Sequence, residues 1–461
     1  MRSGRGESQQ PQESLPDGKS PHRGTDREIL RLAVPAFLAL VAEPLFLLAD
    51  AAFIGHLGTP QLAGLGIAGA VLQTAVGLCV FLAYGTTASV ARHVGAGDLR
   101  GALGQGIDGV WLAVLIGAVT TVAGIVATPW LVAAFGAGGD VADHATTYLR
   151  IAFLGTTPLL VMLATTGVLR GLQDTRTPLV AAVAGNLLNI ALNGLLVYGV
   201  GPLPALGLRG SALGSVLAQV LAAAFLLLVV ARGARAEGAS LRPDLPGIRA
   251  AAHAAVALVI RTLTLRAALL VTTYGATHTG GDADLAAHQL AMTVWIFLAF
   301  ALDAIAIAAQ ALTGRSLGAG DVSGTRALTR RMVQWGAVSG LVTGLGLAAL
   351  SPVLGRAFTP DGAVLDLLVP VLLVAALGQP VAGVVFVLDG VLIGAGDGTY
   401  LAWAGVVVLA VYTPLALMAT TLTGLWVAFS FGFMLARAAL LVHRAYGDAW
   451  LVTGTTRPAR P

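Results

Sequence analysis

Twelve long apolar segments recur along this 461-residue chain, and they constrain its fold more than any other feature. Each has about twenty residues or more, which is enough for a helix to cross a hydrocarbon core roughly 30 Å thick. Lipid offers no partner for backbone polar groups, so each segment must satisfy them internally as a helix. The sequence therefore predicts an all-α polytopic membrane protein with twelve transmembrane helices. The segments cover about 29–55, 62–90, 103–131, 146–170, 177–199, 210–232, 248–276, 284–312, 328–352, 364–394, 399–420 and 422–444.

The composition excludes several other classes of protein. Hydrophobic residues make up 56% of the chain and charged residues 11%, with a mean hydropathy of +0.83. An ordinary soluble domain has roughly 25% charged residues, so these values argue against a soluble enzyme and against a disordered chain. Cys79 is the sole cysteine, which leaves no intrachain disulfide and no paired-cysteine metal site. We expect no metal, no cofactor, no bound nucleic acid and no enzymatic activity.

The arginines, which account for nearly all of the basic residues, set the orientation of the helices. They concentrate in the two tails and in the even-numbered connections, whereas the odd-numbered connections are neutral or acidic apart from Arg209 and Arg356. Because positive loops stay in the cytoplasm, this asymmetry predicts that both termini are cytoplasmic. The arginines concerned include Arg23, Arg27, Arg92, Arg100, Arg170, Arg176, Arg232, Arg235, Arg242, Arg315, Arg326, Arg330, Arg331 and Arg444.

The chain divides into two halves that repeat each other. We expect a disordered cytoplasmic tail over 1–27, an N-lobe over 28–232, a cytoplasmic linker over 233–247, a C-lobe over 248–445 and a cytoplasmic tail over 446–461. Residues 62–98 align without a gap on 285–321, with 11 of 37 positions identical at an offset of 223. Six helices per half give both lobes the same topological sense, which predicts parallel repeats around an axis normal to the membrane, with a substrate path between them.

Four segments resemble the MATE multidrug and toxic compound extrusion transporters, in their DinF-like (DNA-damage-inducible F) branch. They are LADAAFIGHLGTPQLAGLGIAG (48–69), GVLRGLQDTRTPL (167–179), the run from RTLTLR to GAGD (261–321) and VLDGVLIGAGDGTYL (387–401). The resemblance covers about 28–445. It implies two six-helix lobes, rocker-type alternating access, and export of cationic or amphipathic drugs in exchange for protons or sodium. We expect a multi-pass protein of the bacterial plasma membrane that works as a monomer.

Asp50 is the first candidate for ion coupling. It lies deep in the first helix with no basic residue within a turn, and low dielectric favours the protonated form of such a carboxyl group. Asp50 also falls where the resemblance implies a first-helix coupling aspartate. Glu43, seven residues earlier, shares its face and either takes part in coupling or bonds a neighbouring helix. Pro35 and Pro44 interrupt the hydrogen bonding of this helix, and the resemblance makes Pro35 a candidate hinge.

The fifth helix carries Asn186, Asn189 and Asn193 on one face. Amides of this kind commonly bond across helices in a bundle interior. The resemblance implies instead a cation site, in which Asn189 matches an asparagine of the family and Asn193 replaces an aspartate. Because this replacement removes a negative charge, we favour protons over sodium as the coupling ion. A hydroxyl from either Ser211 or Ser215 on the sixth helix could complete the site.

The C-lobe has its own buried charges. Arg261 and Arg266 lie on the seventh helix, Asp303 on the eighth and Asp389 on the tenth. Opposite charges inside a bundle usually pair, which is the structural interpretation. The alternative is a second proton or drug-cation site, with Asp389 as its main residue, and Gln289 is a weaker candidate for substrate contact.

The resemblance implies a secondary active antiporter that exports amphipathic or cationic compounds. The motif GLGIAG at 64–69 opens a membrane helix and follows no strand, so it does not indicate nucleotide binding. Without an ATP-binding motif, an ion gradient must drive transport. The alternative is a lipid-linked oligosaccharide flippase of the related superfamily, which needs a strongly cationic cavity, whereas acids offset the arginines predicted inside the membrane here.

Overall fold

A computed structural model describes residues 21–199, 201 and 204–455, without the side chains of residues 21–23, 43 and 46–49. Within this part the chain forms twelve long helices and no strand. Their bounds are α1 Pro21–Gly55, α2 Thr59–Gly95, α3 Leu99–Ala134, α4 Gly139–Gly171, α5 Arg176–Tyr198, α6 Leu208–Ala236, α7 Leu245–Thr279, α8 Asp282–Gly318, α9 Val322–Ala357, α10 Gly362–Gly394, α11 Gly398–Leu417 and α12 Leu422–Tyr446.

Eleven of these helices, α2 to α12, are long and apolar enough to cross a membrane. The all-α membrane fold predicted from the sequence is therefore confirmed. Helix α1 is 35 residues long, and with it the bundle has the twelve long helices of the prediction. The membrane crossing of α1 and the cytoplasmic position of both termini stay predictions. We call the end of the bundle where α1 begins and α12 ends the cytoplasmic end, after the distribution of arginines.

The GAGD motifs form matching turns in the two lobes. Gly97 and Gly320 both have a φ of 76°, in the left-handed region where glycine carries no steric cost. The aspartate that follows each of them caps the next helix. Asp98 accepts a hydrogen bond from the Gly101 nitrogen at 2.8 Å and begins α3, and Asp321 accepts one from Gly324 at 2.7 Å and begins α9.

Helices α2 and α8 cross at the cytoplasmic end in a reciprocal contact. A Cβ on Gly95 would collide with the backbone carbonyl of Arg315, and a Cβ on Gly318 would collide with that of Arg92. Residues 95 and 318, and residues 92 and 315, are equivalent at the offset of 223. A contact in which i meets j and j meets i is the signature of a twofold axis. The pseudo-twofold axis therefore passes through this crossing.

The lobes are joined mainly through their cytoplasmic halves. The largest apolar cluster combines Ile29 and Leu32 of α1 with residues of α8, α10 and α12. A separate cluster holds the opposite half of the N-lobe together, around Ile54, Val71 and Leu149. Hydrogen bonds between the lobes also lie at the cytoplasmic end, among them Gln310 Nε2 to the Tyr84 carbonyl at 2.6 Å.

The segment boundaries differ in places from those in the sequence analysis. Helix α1 begins at Pro21, so residues 21–27 of the predicted tail belong to a helix, and residues 1–20 lie outside the described part. Asp26, inside that predicted tail, accepts hydrogen bonds from Arg331 Nε at 2.7 Å and from Trp335 Nε1 at 2.8 Å on α9. The connection between α6 and α7 is shorter than the linker 233–247, because α6 continues to Ala236 and α7 begins at Leu245.

The segment after α12 packs back onto the bundle. Trp450 is fully buried, and the Gly454 nitrogen donates to the Leu317 carbonyl of α8 at 3.1 Å. Arg92 of α2 donates to the carbonyls of Val452 and Gly454. The first residues of the predicted C-terminal tail thus bridge the two lobes.

Candidate functional site

Asp50 lies buried in the N-lobe where four helices meet. Its Oδ1 accepts hydrogen bonds from Asn193 Nδ2 at 2.5 Å and from Ser211 Oγ at 2.9 Å, and its Oδ2 accepts one from Tyr148 at 3.5 Å. These partners come from α5, α6 and α4. No basic residue in the described part of the chain forms an ion pair with Asp50, so neutral donors surround its carboxylate.

A second layer of polar contacts holds the partners of Asp50 in place. Asn193 Nδ2 also donates to Asn189 Oδ1 at 2.8 Å, and Asn189 Nδ2 donates to Ser215 Oγ at 2.9 Å. The two serines on α6 therefore differ, because Ser211 contacts the carboxylate and Ser215 only its neighbour. The Oδ1 atom of Asn193 is buried and has no hydrogen-bond partner within the described residues.

The remaining N-lobe candidates lie away from this cluster. Asn186 Nδ2 donates to the Ala42 carbonyl at 3.0 Å, so it bonds α5 to α1 rather than to the carboxylate. Pro35 and Pro44 both lie inside α1, which continues through them, and the hinge role of Pro35 stays a prediction. The side chain of Glu43 lies outside the described residues, so its role in coupling also stays a prediction.

Tyr148 is a member of the cluster that the sequence analysis missed. It is 5% exposed and lies on α4, a helix to which no polar spacing drew attention. A buried tyrosine usually finds a partner for its hydroxyl group, so its place inside an apolar segment was the available signal. That signal could not identify Asp50 as the partner, because the register between α1 and α4 is not encoded in either helix.

In the C-lobe, two arginines share one aspartate, and a third arginine has no ion pair within the described residues. Asp389 of α10 receives a bidentate ion pair from Arg261 of α7 and a second pair from Arg437 of α12 at 2.8 Å. Arg437 was not among the predicted partners. Asp303 lines a cavity beside Arg261 and Tyr84. Arg266, which the sequence analysis grouped with these residues, has neither an ion pair nor a hydrogen bond to any residue of the described part.

The two lobes differ at the position of Asp50. Its repeat equivalent in the C-lobe is Thr273, whose hydroxyl lies 3.3 Å from His288 Nε2. His288 is buried and packs against the ring of Trp426. Gln289, the predicted substrate contact, is an exposed residue in the first turns of α8. The structure thus brings Asp50, Asn189 and Asn193 together. Arg261, Asp303 and Asp389 form a separate cluster in the C-lobe, and Gln289 lies apart from it.

The neutral surroundings of Asp50 limit the chemistry that the N-lobe cluster can perform. A single carboxyl group surrounded by neutral oxygen and nitrogen atoms can hold one proton or one small cation. It offers no activated nucleophile, and no group of three metal-ligating side chains occurs in the described residues.

Comparisons with known proteins agree with the fold and the repeat. The MatE family model matches residues 35–195 and 257–418, once in each lobe. The Arabidopsis thaliana protein DETOXIFICATION 44, chloroplastic, is 31% identical over 452 residues, covering 94% of this chain and 83% of the relative. The Escherichia coli DNA damage-inducible protein F is 31% identical over 307 residues, covering 65% of each chain.

A solved structure shows the same fold at lower sequence identity. A MOP superfamily transporter from Pyrococcus furiosus superposes with a TM-score of 0.82 at 21% identity, covering 92% of this chain and 96% of the other. The family model covers well over half of the chain, and its two matches coincide with the two lobes. The chain is therefore a multi-pass membrane protein that belongs to the MATE family of transporters.

Proposed function

We propose that this protein is a secondary active antiporter that exports amphipathic or cationic small molecules in exchange for protons. It would act as a monomer in a bacterial plasma membrane, by alternating access between its two lobes. The lobes are joined at the cytoplasmic end, which corresponds to a state that opens away from the cytoplasm. The observation that carries the proposal is the isolation of Asp50 among neutral donors.

The contacts of Asp50 support a switch driven by protonation. As a carboxylate, Asp50 accepts three hydrogen bonds, from α4, α5 and α6. A protonated carboxyl group becomes a donor at one oxygen, so at least one of these helices loses its acceptor. The unpartnered Oδ1 of Asn193 offers an alternative acceptor after rotation of the amide. Binding one proton would thereby change how α1 packs against at least one of these helices.

The same contacts favour protons over sodium. A sodium ion is held by several oxygen atoms, and carboxylates provide the strongest of them. Asn193 turns its nitrogen towards Asp50, so the site combines one carboxylate with a donor rather than with a second acid. A proton needs only the single carboxyl oxygen.

Transport in proteoliposomes tests the proposal. Wild type and Asp50→Asn would be assayed for ethidium movement under an imposed proton gradient and, separately, under a sodium gradient. We expect proton-driven transport in the wild type and a loss of at least about tenfold in the variant, because asparagine cannot exchange a proton. Asp366→Asn is the matched control, since Asp366 is exposed near the start of α10.

Each alternative has its own result in this experiment. Sodium-driven transport would assign the site to sodium. Full activity of Asp50→Asn would move coupling to Glu43 or to the C-lobe acids. Translocation of a lipid-linked oligosaccharide without ethidium movement would favour a flippase and contradict the proposal.

A further inference from the structure

Arg266 lies at the boundary between the two lobes. It lies on α7 of the C-lobe, and its guanidinium group rests on the backbone of Gly77, on α2 of the N-lobe. A Cβ at Gly77 would approach the Arg266 Cζ atom to 3.1 Å. The side chain of Arg266 is nevertheless exposed. It therefore borders the space between the lobes rather than the interior of either one.

The depth of Arg266 makes its exposure informative. Gly77 is equally far from both ends of α2, so the contact lies near the middle of the membrane. An arginine at this depth is costly unless it faces water or a partner. Since lipid would impose this cost on the exposed side chain, the position of Arg266 at the lobe boundary is best accounted for if its free side faces the cleft and not the lipid.

The described residues supply no negative partner for Arg266. No ion pair or hydrogen bond joins it to them, whereas Arg261 and Arg437, nearer the cytoplasmic end, share Asp389. Asp303 interacts with Arg170 and Arg261. Among the described residues, this region of the bundle thus holds four arginines and only two aspartates. They are Arg170, Arg261, Arg266 and Arg437, and Asp303 and Asp389. Asp50 cannot correct the imbalance, because it is buried inside its own lobe.

Contacts nearer the cytoplasmic end place Arg266 at the closed end of the cleft. About one and a half turns nearer the cytoplasmic end, Arg261 stacks on the Tyr84 ring at 5.6 Å to the ring centroid. Still nearer that end, Gln310 bonds the Tyr84 carbonyl. These contacts close the cleft below the level of Gly77, so a molecule that enters from the other side meets Arg266 at the bottom.

We infer that Arg266 binds the acidic group of the transported molecule, and that the substrates of this cleft include amphipathic organic anions carrying a carboxylate. The planar guanidinium group presents paired N–H donors that fit a carboxylate in a bidentate manner. A purely cationic molecule would meet a like charge at the same position. The inference rests on the proposed transport function, and it narrows the class of substrate.

Carboxyfluorescein is a suitable probe, because it is an organic carboxylate that crosses lipid slowly, and ethidium is its cationic counterpart. Binding of carboxyfluorescein to purified protein would be measured for wild type, Arg266→Gln and Arg266→Lys. We expect the Kd for carboxyfluorescein to rise at least about tenfold in Arg266→Gln. The rise should be smaller in Arg266→Lys, because lysine keeps the positive charge but lacks the paired N–H donors of the guanidinium group. Arg209→Gln, an exposed arginine at the start of α6, is the matched control.

Transport in proteoliposomes is the second readout. We expect Arg266→Gln to lose proton-driven carboxyfluorescein transport and to keep or increase that of ethidium. Gly77→Ala displaces the guanidinium group without removing its charge, so it should raise KM for carboxyfluorescein with little change in maximal rate. This second variant guards against a general loss of fold in Arg266→Gln.

The two readouts separate this inference from the proposed function. Weaker binding of carboxyfluorescein to Arg266→Gln than to the wild type supports the inference. If neither probe is transported, the proposed antiport is refuted, but the binding result still supports the role of Arg266. Equal binding in wild type and Arg266→Gln overturns the inference, as does absence of binding in the wild type. Arg266-dependent flipping of fluorescent phosphatidylglycerol, without carboxyfluorescein movement, also overturns it, because the anion would then be a lipid headgroup.

Discussion

At the scale of single residues, Ser211 and Ser215 provide a matched pair one turn apart on α6. Ser211 donates to Asp50, whereas Ser215 accepts from Asn189. A hydrogen bond to a charged group contributes about 1.5–3 kcal/mol, and about 1.4 kcal/mol corresponds to a factor of ten. We expect Ser211→Ala to lower proton-driven transport about tenfold or more and Ser215→Ala to lower it much less. Equal losses in the two variants would contradict direct action of Ser211 on the carboxylate.

Under the proposed coupling, Asn193 is the residue that selects protons over sodium. Asn193→Asp would place a second carboxylate beside Asp50 and supply the oxygen ligands that a hard cation prefers. We expect the variant to gain sodium-driven transport and to show a melting temperature that rises by a few degrees in sodium chloride relative to choline chloride. Asn186→Asp is the matched control, because Asn186 bonds the Ala42 carbonyl outside the cluster. Sodium effects of equal size in both variants would contradict this assignment.

The N-lobe cluster could be predicted only in part from the sequence. Asn189 and Asn193 share a helical face, and a lone aspartate inside an apolar segment stands out, so three members were evident. Tyr148 and the choice between Ser211 and Ser215 were not, because they depend on the rotation of α4 and α6 about their own axes. Arg437 was missed as a partner of Asp389 for the same reason.

At the scale of helices, the crossing of α2 and α8 depends on glycine. A methyl group at Gly95 would meet the Arg315 carbonyl, which cannot move as a flexible side chain would. Overpacking of this kind costs about 1–3 kcal/mol, so we expect Gly95→Ala to lower the melting temperature in detergent. Gly66, on the same helix, has open space around it, and Gly66→Ala should leave the melting temperature unchanged or raise it, since alanine gains about 0.4–1 kcal/mol there.

The repeat made this crossing partly predictable. The shared GAGD motifs and the constant offset of 223 showed that α2 and α8 are equivalent helices. The offset could not show that they touch, because equivalence constrains orientation but not distance. It also could not show that Arg92 and Arg315 have different surroundings, since that depends on segments outside the repeat.

At the scale of the whole molecule, the two lobes are closed at the cytoplasmic end by a pair of equivalent arginines. Arg92 of the N-lobe donates to the Ala395 carbonyl, in the turn between α10 and α11, at 2.9 Å. Arg315 of the C-lobe donates to Gln173, in the turn between α4 and α5, at 2.7 Å. Each arginine thus crosses to the matching turn of the other lobe. The proposed alternating access requires that both contacts break.

The surroundings of the two arginines predict that they contribute unequally to this closure. Arg92 is 3% exposed and donates to three carbonyl groups, two of them in the segment after α12. Arg315 is exposed and forms an ion pair with Glu28, and such surface pairs contribute about 0.2–1 kcal/mol. Loss of the buried donor leaves carbonyl groups without partners, which costs about 1–3 kcal/mol for each group that stays buried.

Hydrogen exchange over residues 313–325 would measure this difference, because separation of the lobes exposes the cytoplasmic end of α8. We expect Arg92→Gln to accelerate exchange there by about tenfold or more, and Arg315→Gln by no more than about fivefold, in line with the free energies of their contacts. Arg235→Gln is the matched control, since Arg235 is an exposed arginine at the same end. Equal acceleration by Arg92→Gln and Arg315→Gln would mean that the repeat symmetry governs the closure, and that the segment after α12 adds nothing to it.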